Sequence, residues 1–210
     1  RDIFPKKILK IPIIGSINLH GSLLPKYRGA APVNWQIING ERNGGVTLHY
    51  MNKHVDGGNI INQKKIFISN KETPLSLFKK IEDQSRLLLN RELPLLNKNK
   101  NNFFTQKLKN TKIYKKRKPE DGRINWNNSI IDIYNLVRGV TYPYPGAFTY
   151  YKKLKITIWS AEIKKINLKY KKFSNGSFYK DKKYLKVKTK DGILIIKKMY
   201  SDLGVDLKKG

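Results

Sequence analysis

Three polar residues in the first third of the chain have the types and spacing for acyl transfer. Asn18 and His20 stand two apart in the run Ile17-Asn18-Leu19-His20, and in an extended segment such residues project on one face. Asp56 follows later, directly before Gly57-Gly58, where glycines suit a loop whose backbone approaches a ligand closely. An imidazole can take the proton of an attacking amine, an amide N–H can steady a developing oxyanion, and a carboxylate can orient and support the charged ring. Taken alone, the same residues also have bland uses. A histidine near a strand end is commonly a hydrogen-bonded structural residue, and Asp before Gly-Gly commonly makes a turn. The other two histidines read as structural or solvated, because His49 alternates within a strand and His54 sits in a polar loop.

The elements that must position these groups follow from apolar spacing. Residues 11–18 form a β-branched apolar run, interrupted by Gly15, that reads as a buried strand delivering Asn18 and His20 to its end. Residues 22–29 hold Pro, Lys, Tyr, Arg and Gly with no period and read as a loop that lies over the site and is mobile when the site is empty. A short helix is expected from Pro32 to the glycine at 40, and strands at 45–51 and 60–68 flank the loop 52–59 that carries Asp56. Thr73-Pro74 caps a helix running to about residue 93, with Leu77, Ile81 and Leu88 on its buried stripe.

Residues 97–119 are rich in Asn and Lys and poor in apolar positions, which predicts an extended linker ending in Lys115-Lys116-Arg117-Lys118-Pro119. A second unit begins near Glu120 with one helix capped by Ser129 and closed by Gly139. Short strands follow at 148–151, 154–160, 177–179, 184–190 and 193–199, the last two flanking the hairpin signal Asp191-Gly192. Five short strands at close spacing suggest a small barrel of the OB type. The chain is therefore read as α/β for residues 1–111, a linker at 112–119, and an OB-like β-barrel domain at 120–210.

Composition excludes several classes. With no cysteine among 210 residues, a disulfide scaffold, a thiolate metal site and a cysteine nucleophile are ruled out, and a reducing, cytoplasmic compartment fits. No apolar run approaches the roughly 18 residues that would suggest a membrane span, so no membrane insertion is expected. The net charge of +29 comes from 36 Lys and only 8 Arg. Arginine is the residue that grips phosphates and bases bidentately, so a lysine surplus is explained as well by composition bias as by a nucleic-acid ligand. The chain opens on Arg1 with neither an initiator methionine nor a charged-then-apolar signal segment, and Arg1 reads as an internal residue of a longer product.

The string from Asn18 through His20-Gly21-Ser22-Leu23-Leu24-Pro25-Lys26-Tyr27-Arg28-Gly29-Ala30-Ala31-Pro32, followed by Gly45-Val46-Thr47-Leu48-His49 and Asp56-Gly57-Gly58, closely resembles the folate-dependent formyltransferase family. Arg117 through Gly122, Trp126 and Tyr142-Pro143-Tyr144-Pro145-Gly146 resemble that family's linker and C-terminal domain. The resemblance covers nearly the whole chain. It implies a Rossmann-like formyltransferase domain followed by an OB-like domain, 10-formyltetrahydrofolate as donor, and no metal. Carried across, the family's catalytic residues fall on Asn18 as oxyanion donor, His20 as base and Asp56 as its carboxylate partner. Lys26, Tyr27 and Arg28 fall in the substrate loop, where Lys26 or Arg28 would meet the phosphates of a sugar nucleotide, and Asp56 with Gly57 in the donor-binding loop.

Two kinds of member compete for the acceptor. Lys26-Tyr27-Arg28-Gly29, Asn34-Trp35, Asn39-Gly40-Glu41 and Val46-Thr47-Leu48-His49 resemble the sugar-nucleotide enzymes, in particular those acting on UDP-4-amino-4-deoxy-L-arabinose, whereas Ala30-Ala31 is closer to the methionyl-tRNA enzymes. The sugar-nucleotide acceptor is the favoured expectation. A reading from another class is a lysine-rich OB-like RNA-binding module without catalysis. One departure stands out: in the family several strands and helices precede the Asn-x-His segment, whereas 17 residues precede it here. On that ground an open sheet edge is expected, with a missing N-terminal half of the enzyme as a partner, and little transfer by these residues alone.

Overall fold

A computed structural model describes residues 4–98, 100–165, 172–180 and 184–202, so Arg1 lies outside the described residues. The chain divides into two compact units. The first comprises Arg1–Gln36, Glu41–Asn70 and Ser76–Arg117, and the second Ile37–Gly40, Lys71–Leu75 and Lys118–Gly210.

In the first unit a one-turn helix α1 (Lys6–Leu9) precedes strand β1 (Ile17–His20). The strand is much shorter than the apolar run at 11–18 predicts. Pro12 has no N–H to give a ladder, and its carbonyl instead accepts the N–H of Gly15, whose φ of +108° turns the chain. Ile11, Ile13 and Ile14 are consequently exposed. A two-residue strand β2 (Arg28–Gly29) and helix α2 (Pro32–Ile38) lead into β3 (Asn43–Tyr50) and β4 (Ile60–Phe67). The main sheet is antiparallel in the order β1-β3-β4, with Asn18 opposite His49 and His20 opposite Thr47. Directly opposed residues share a face, so the register brings Asn18 and His49 together.

Helix α3 (Pro74–Asn97) runs one turn beyond the expected end, through Pro94. The extension buries Leu96 on the same stripe as Leu77, Ile81 and Leu88. Glu92, buried on this helix, accepts from Asn62 at 2.6 Å and Asn101 at 2.8 Å, which satisfies a carboxylate that burial would otherwise penalise.

The segment after α3, expected to be a plain linker, lies along the first unit. Phe104 and Ile60 exchange backbone hydrogen bonds, and strand β5 (Ile113–Tyr114) pairs in parallel with β2. Lysine-rich composition hid these contacts, because the ties are made by backbone and by single side chains rather than by an apolar stripe.

The second unit holds helix α4 (Ile130–Gly139), capped by Ser129, whose hydroxyl oxygen accepts the Asp132 N–H. Its sheet consists of β6 (Ala147–Tyr151), β7 (Leu154–Lys165), β8 (Phe178–Lys180), β9 (Leu185–Lys188) and β10 (Gly192–Ser201). The order is β6-β7-β10-β9-β8, antiparallel throughout. Tyr151 and Phe178, on the two edge strands, meet edge to face with ring centroids 4.7 Å apart. Ile133 and Val137 of α4 pack on Ile156, Ile158, Leu194 and Ile196, which is the alternating inner face expected of a small β domain. Among the described residues, no helix is long and apolar enough to cross a membrane.

Candidate active site

His20 ends β1 almost fully buried, at 3% exposure. Its Nε2 lies 2.8 Å from the backbone carbonyl of Tyr27. A carbonyl only accepts, so Nε2 carries the hydrogen and the neutral ring keeps its lone pair on Nδ1. That Nδ1 faces the Asp56 carboxylate, 3.6 Å from Oδ2. The loop 22–31 thus selects the tautomer of His20 through the carbonyl of Tyr27, which has a left-handed φ of +60°.

Asp56 sits between β3 and β4, also in the left-handed region, with φ +47°. Its Oδ2 accepts the N–H of Gly29 at 2.8 Å, and its Oδ1 is 3.9 Å from Nε2 of His49. One carboxylate therefore spans the two imidazoles, whose ring centroids are 6.5 Å apart.

The third predicted residue, Asn18, uses its amide nitrogen to donate to Nε2 of His49 at 3.2 Å. His49 can accept there because its Nδ1–H is given to the Tyr50 carbonyl at 2.7 Å. Burial lowers the pKa of His49 from the ordinary 6.5, outweighing the raising effects of the Tyr50 carbonyl and of Asp56. Burial thus favours the neutral ring, which fixes which way the Asn18 amide turns, with its nitrogen toward His49 Nε2.

His49 is the residue that reading the sequence missed. It reads as structural because it alternates within a strand, and strand alternation alone cannot say what lies across the ladder. The signal that would have found it is the antiparallel register, which sets it against Asn18. His54 stays an exposed loop residue, as expected.

The substrate-loop residues divide. Lys26 is exposed, with its ammonium 3.9 Å from Glu41. Tyr27 donates its hydroxyl to Glu41 at 2.9 Å and stacks on Tyr114. Arg28, expected to reach out to phosphate, is instead 5% exposed, and its guanidinium donates to the Val55 carbonyl and to Thr111 Oγ1, each at 2.8 Å. A buried arginine so engaged ties three loops together.

The glycines after Asp56 also have another cause than the expected approach to a ligand. A Cβ on Gly58 would fall 1.8 Å from the Tyr50 carbonyl, and one on Gly57 would fall 2.9 Å from both His54 Cβ and Leu108 Cδ1. Both are required by the protein's own packing. The donor set suits a folate formyl donor on chemical grounds: an amide N–H for the acyl oxygen, a base and a carboxylate, which together serve acyl transfer to an amine without a metal.

The first unit thus sets an Asn-His-Asp cluster, whose groups are of the types acyl transfer uses, at the end of a three-stranded sheet. Residues 1–93 match the formyl transferase family and residues 116–203 match the formyl transferase C-terminal domain; the chain belongs to the formyltransferase family. It is 50% identical over 163 residues to the bifunctional polymyxin resistance protein ArnA of Wigglesworthia glossinidia brevipalpis, a match covering 78% of this chain and 25% of that protein. The chain thus spans about a quarter of the length of this curated relative. Among solved structures, an N-formyltransferase from Helicobacter canadensis, in complex with folinic acid and dTDP-3-aminofucose, matches with a TM-score of 0.66 and 24% identity over 88% of this chain and 66% of that one. The formyltransferase PseJ from Anoxybacillus kamchatkensis, in complex with UDP-4,6-dideoxy-4-formamido-L-AltNAc and tetrahydrofolate, matches with a TM-score of 0.50 and 28% identity over 55% of this chain and 60% of that one.

Proposed function

We propose that the chain carries the catalytic residues of an enzyme that transfers a formyl group from 10-formyltetrahydrofolate to the amine of a sugar nucleotide, of the UDP-4-amino-4-deoxy-L-arabinose type. The observation that supports it most is the convergence of Asn18, His20, His49 and Asp56, with the carboxylate beside Nδ1 of His20, where it favours a proton taken up there. In this reading the acceptor amine attacks the formyl carbon and His20 Nδ1 takes its proton. Asp56, at 3.6 Å, supports the imidazolium so formed. Asn18 donates its second N–H to the formyl oxygen as negative charge develops there. The proton on His20 then goes to the donor nitrogen as its bond to the formyl carbon breaks, which returns the site to its starting state.

The sugar-nucleotide acceptor rests on the names of ArnA and PseJ together with the substrate-loop residues Lys26 and Tyr27. The names of those relatives give no support to a transfer-RNA acceptor, which stays the second reading. The bifunctional relative extends well beyond this chain, and we infer that further polypeptide completes the donor pocket. We place the domain boundary at 112–119, between a catalytic part at 1–111 and an OB-like part at 120–210, and the reaction in the cytoplasm, where a cysteine-free chain fits.

The test is acceptor competition. The complete polypeptide bearing these residues is given 10-formyltetrahydrofolate with UDP- and dTDP-linked amino sugars, or with methionyl-tRNA. Formylation of a sugar amine and none of the aminoacyl-tRNA is expected. The reverse pattern overturns the acceptor, and transfer to neither overturns the activity.

A further inference from the structure

Gln106 lies in the segment whose composition reads as linker, yet it is only 8% exposed. Its side-chain nitrogen donates to the Asp56 carbonyl at 3.0 Å and to the Gly58 carbonyl at 2.6 Å, so one amide grips the backbone on both sides of Gly57. Its Oε1 is buried with no hydrogen-bond partner among the described residues. Burying half of an amide unbonded is costly, and it is tolerated here where the other half holds two carbonyls that no backbone ladder satisfies. Asp56 between them has a φ of +47°, a conformation that a non-glycine residue keeps only where its surroundings over-determine it.

We propose that Gln106 is a positioning residue for the Asp56 carboxylate. By pinning the carbonyls of Asp56 and Gly58, it holds Asp56 in the left-handed conformation that aims Oδ2 at Nδ1 of His20. Glutamate in its place would set acceptor oxygens against two carbonyls, and methionine would fill the space with no donor at all. Other ties act on the same loop, since the Gly29 N–H donates to Asp56 Oδ2 at 2.8 Å, Asn52 donates to the Gly57 carbonyl at 3.4 Å and accepts the His54 N–H, and Arg28 holds Val55, but among the described residues it is Gln106 that bonds the carbonyls of Asp56 and Gly58. The groups facing His20 are Asp56 from the loop and His49 from β3, and Arg28 approaches the loop at Gly57.

The test reads the His20 ring by NMR titration in the unmodified chain and in Q106M, Q106E and D56N. A carboxylate near an imidazole favours its protonated form, so D56N lowers the His20 midpoint. Q106M is expected to lower it in the same direction, by about 0.5–1 pH unit, Q106M added to D56N is expected to lower it no further, and Q106E, whose own carboxylate favours the imidazolium, is expected to lower it less than Q106M. An unchanged His20 midpoint in Q106M overturns the proposal, as does a Q106M shift that persists undiminished in the D56N background. A measurement on the unmodified chain needs no substitution: the Gln106 side-chain N–H protons should exchange with solvent slowly, and exchange at the rate of an exposed glutamine overturns it equally.

The link to catalysis rests on the formyl-transfer reading. In the complete enzyme Q106M should lower kcat roughly tenfold to a hundredfold, as small misplacements of catalytic groups do, with KM for both substrates held and the acid limb of the pH profile moved down. Because the titration is read without substrates, its failure and the failure of the formyl-transfer reading are separately visible.

Discussion

Protonation of His49 is disfavoured by the fold, and stability should register it. The ring is 1% exposed, gives its Nδ1–H to the Tyr50 carbonyl at 2.7 Å, and accepts at Nε2 from Asn18 at 3.2 Å. A second proton would set two N–H donors against each other at that last contact. Asp56 Oδ1, 3.9 Å away, pulls the other way but does not prevail, so the folded-state pKa lies below 6.5. The sign follows from linkage: between 6.5 and the lower folded value the unfolded chain binds the extra proton, so stability is full above 6.5 and falls as pH drops through that window. The slope for one proton is at most about 1.4 kcal/mol per pH unit within that window. His49→Gln keeps an acceptor for Asn18 and a donor for the Tyr50 carbonyl while removing the titration. Urea unfolding at several pH values, followed by the amide resonances of β3, should show the wild-type chain losing more stability than the variant below pH 6.5. Parallel pH dependences of the two proteins would refute the neutral, buried imidazole.

Other consequences follow from single contacts. Arg28→Ala should cost about 2–4 kcal/mol, since it removes two charge-assisted bonds and leaves the Val55 carbonyl unpaired; Arg28→Lys should not restore it, and a melting temperature equal to wild type would contradict the tie. Gly58→Ala should cost about 3 kcal/mol, at the upper end for overpacking, because the new Cβ meets the Tyr50 carbonyl; calorimetry checks this, and a neutral effect would contradict the close approach. Limited trypsin digestion should cut first among the basic residues at 115–118, and first cuts within 74–93 would show the proposed boundary to be misplaced.

The local signals in the sequence were those carried by a few adjacent residues. Thr73-Pro74 and Ser129 announced helix starts, Asp191-Gly192 announced a hairpin, and Asn18 with His20 announced a shared face. What composition obscured was pairing at a distance. The apolar run at 11–16 looked like strand because periodicity does not register the missing N–H of Pro12 or the turn at Gly15. The role of His49 depends on register across 31 residues, and that of Gln106 on a contact across 50, neither of which has a local pattern. Arg28 looked like a phosphate ligand because cationic loop residues usually face water; its burial is set by carbonyl and hydroxyl acceptors contributed by two other loops.

In the proposed reaction His20, aimed by Tyr27 and backed by Asp56, is the base for formyl transfer. Its most direct test is a single-turnover reaction of the complete polypeptide with 10-formyltetrahydrofolate labelled in the formyl carbon and an amino-sugar nucleotide, for wild type and His20→Ala. Label is expected on the sugar nitrogen in the wild type, with a rate about 10²–10⁴-fold lower in a folded His20→Ala variant. Transfer by that variant at the wild-type rate would contradict it.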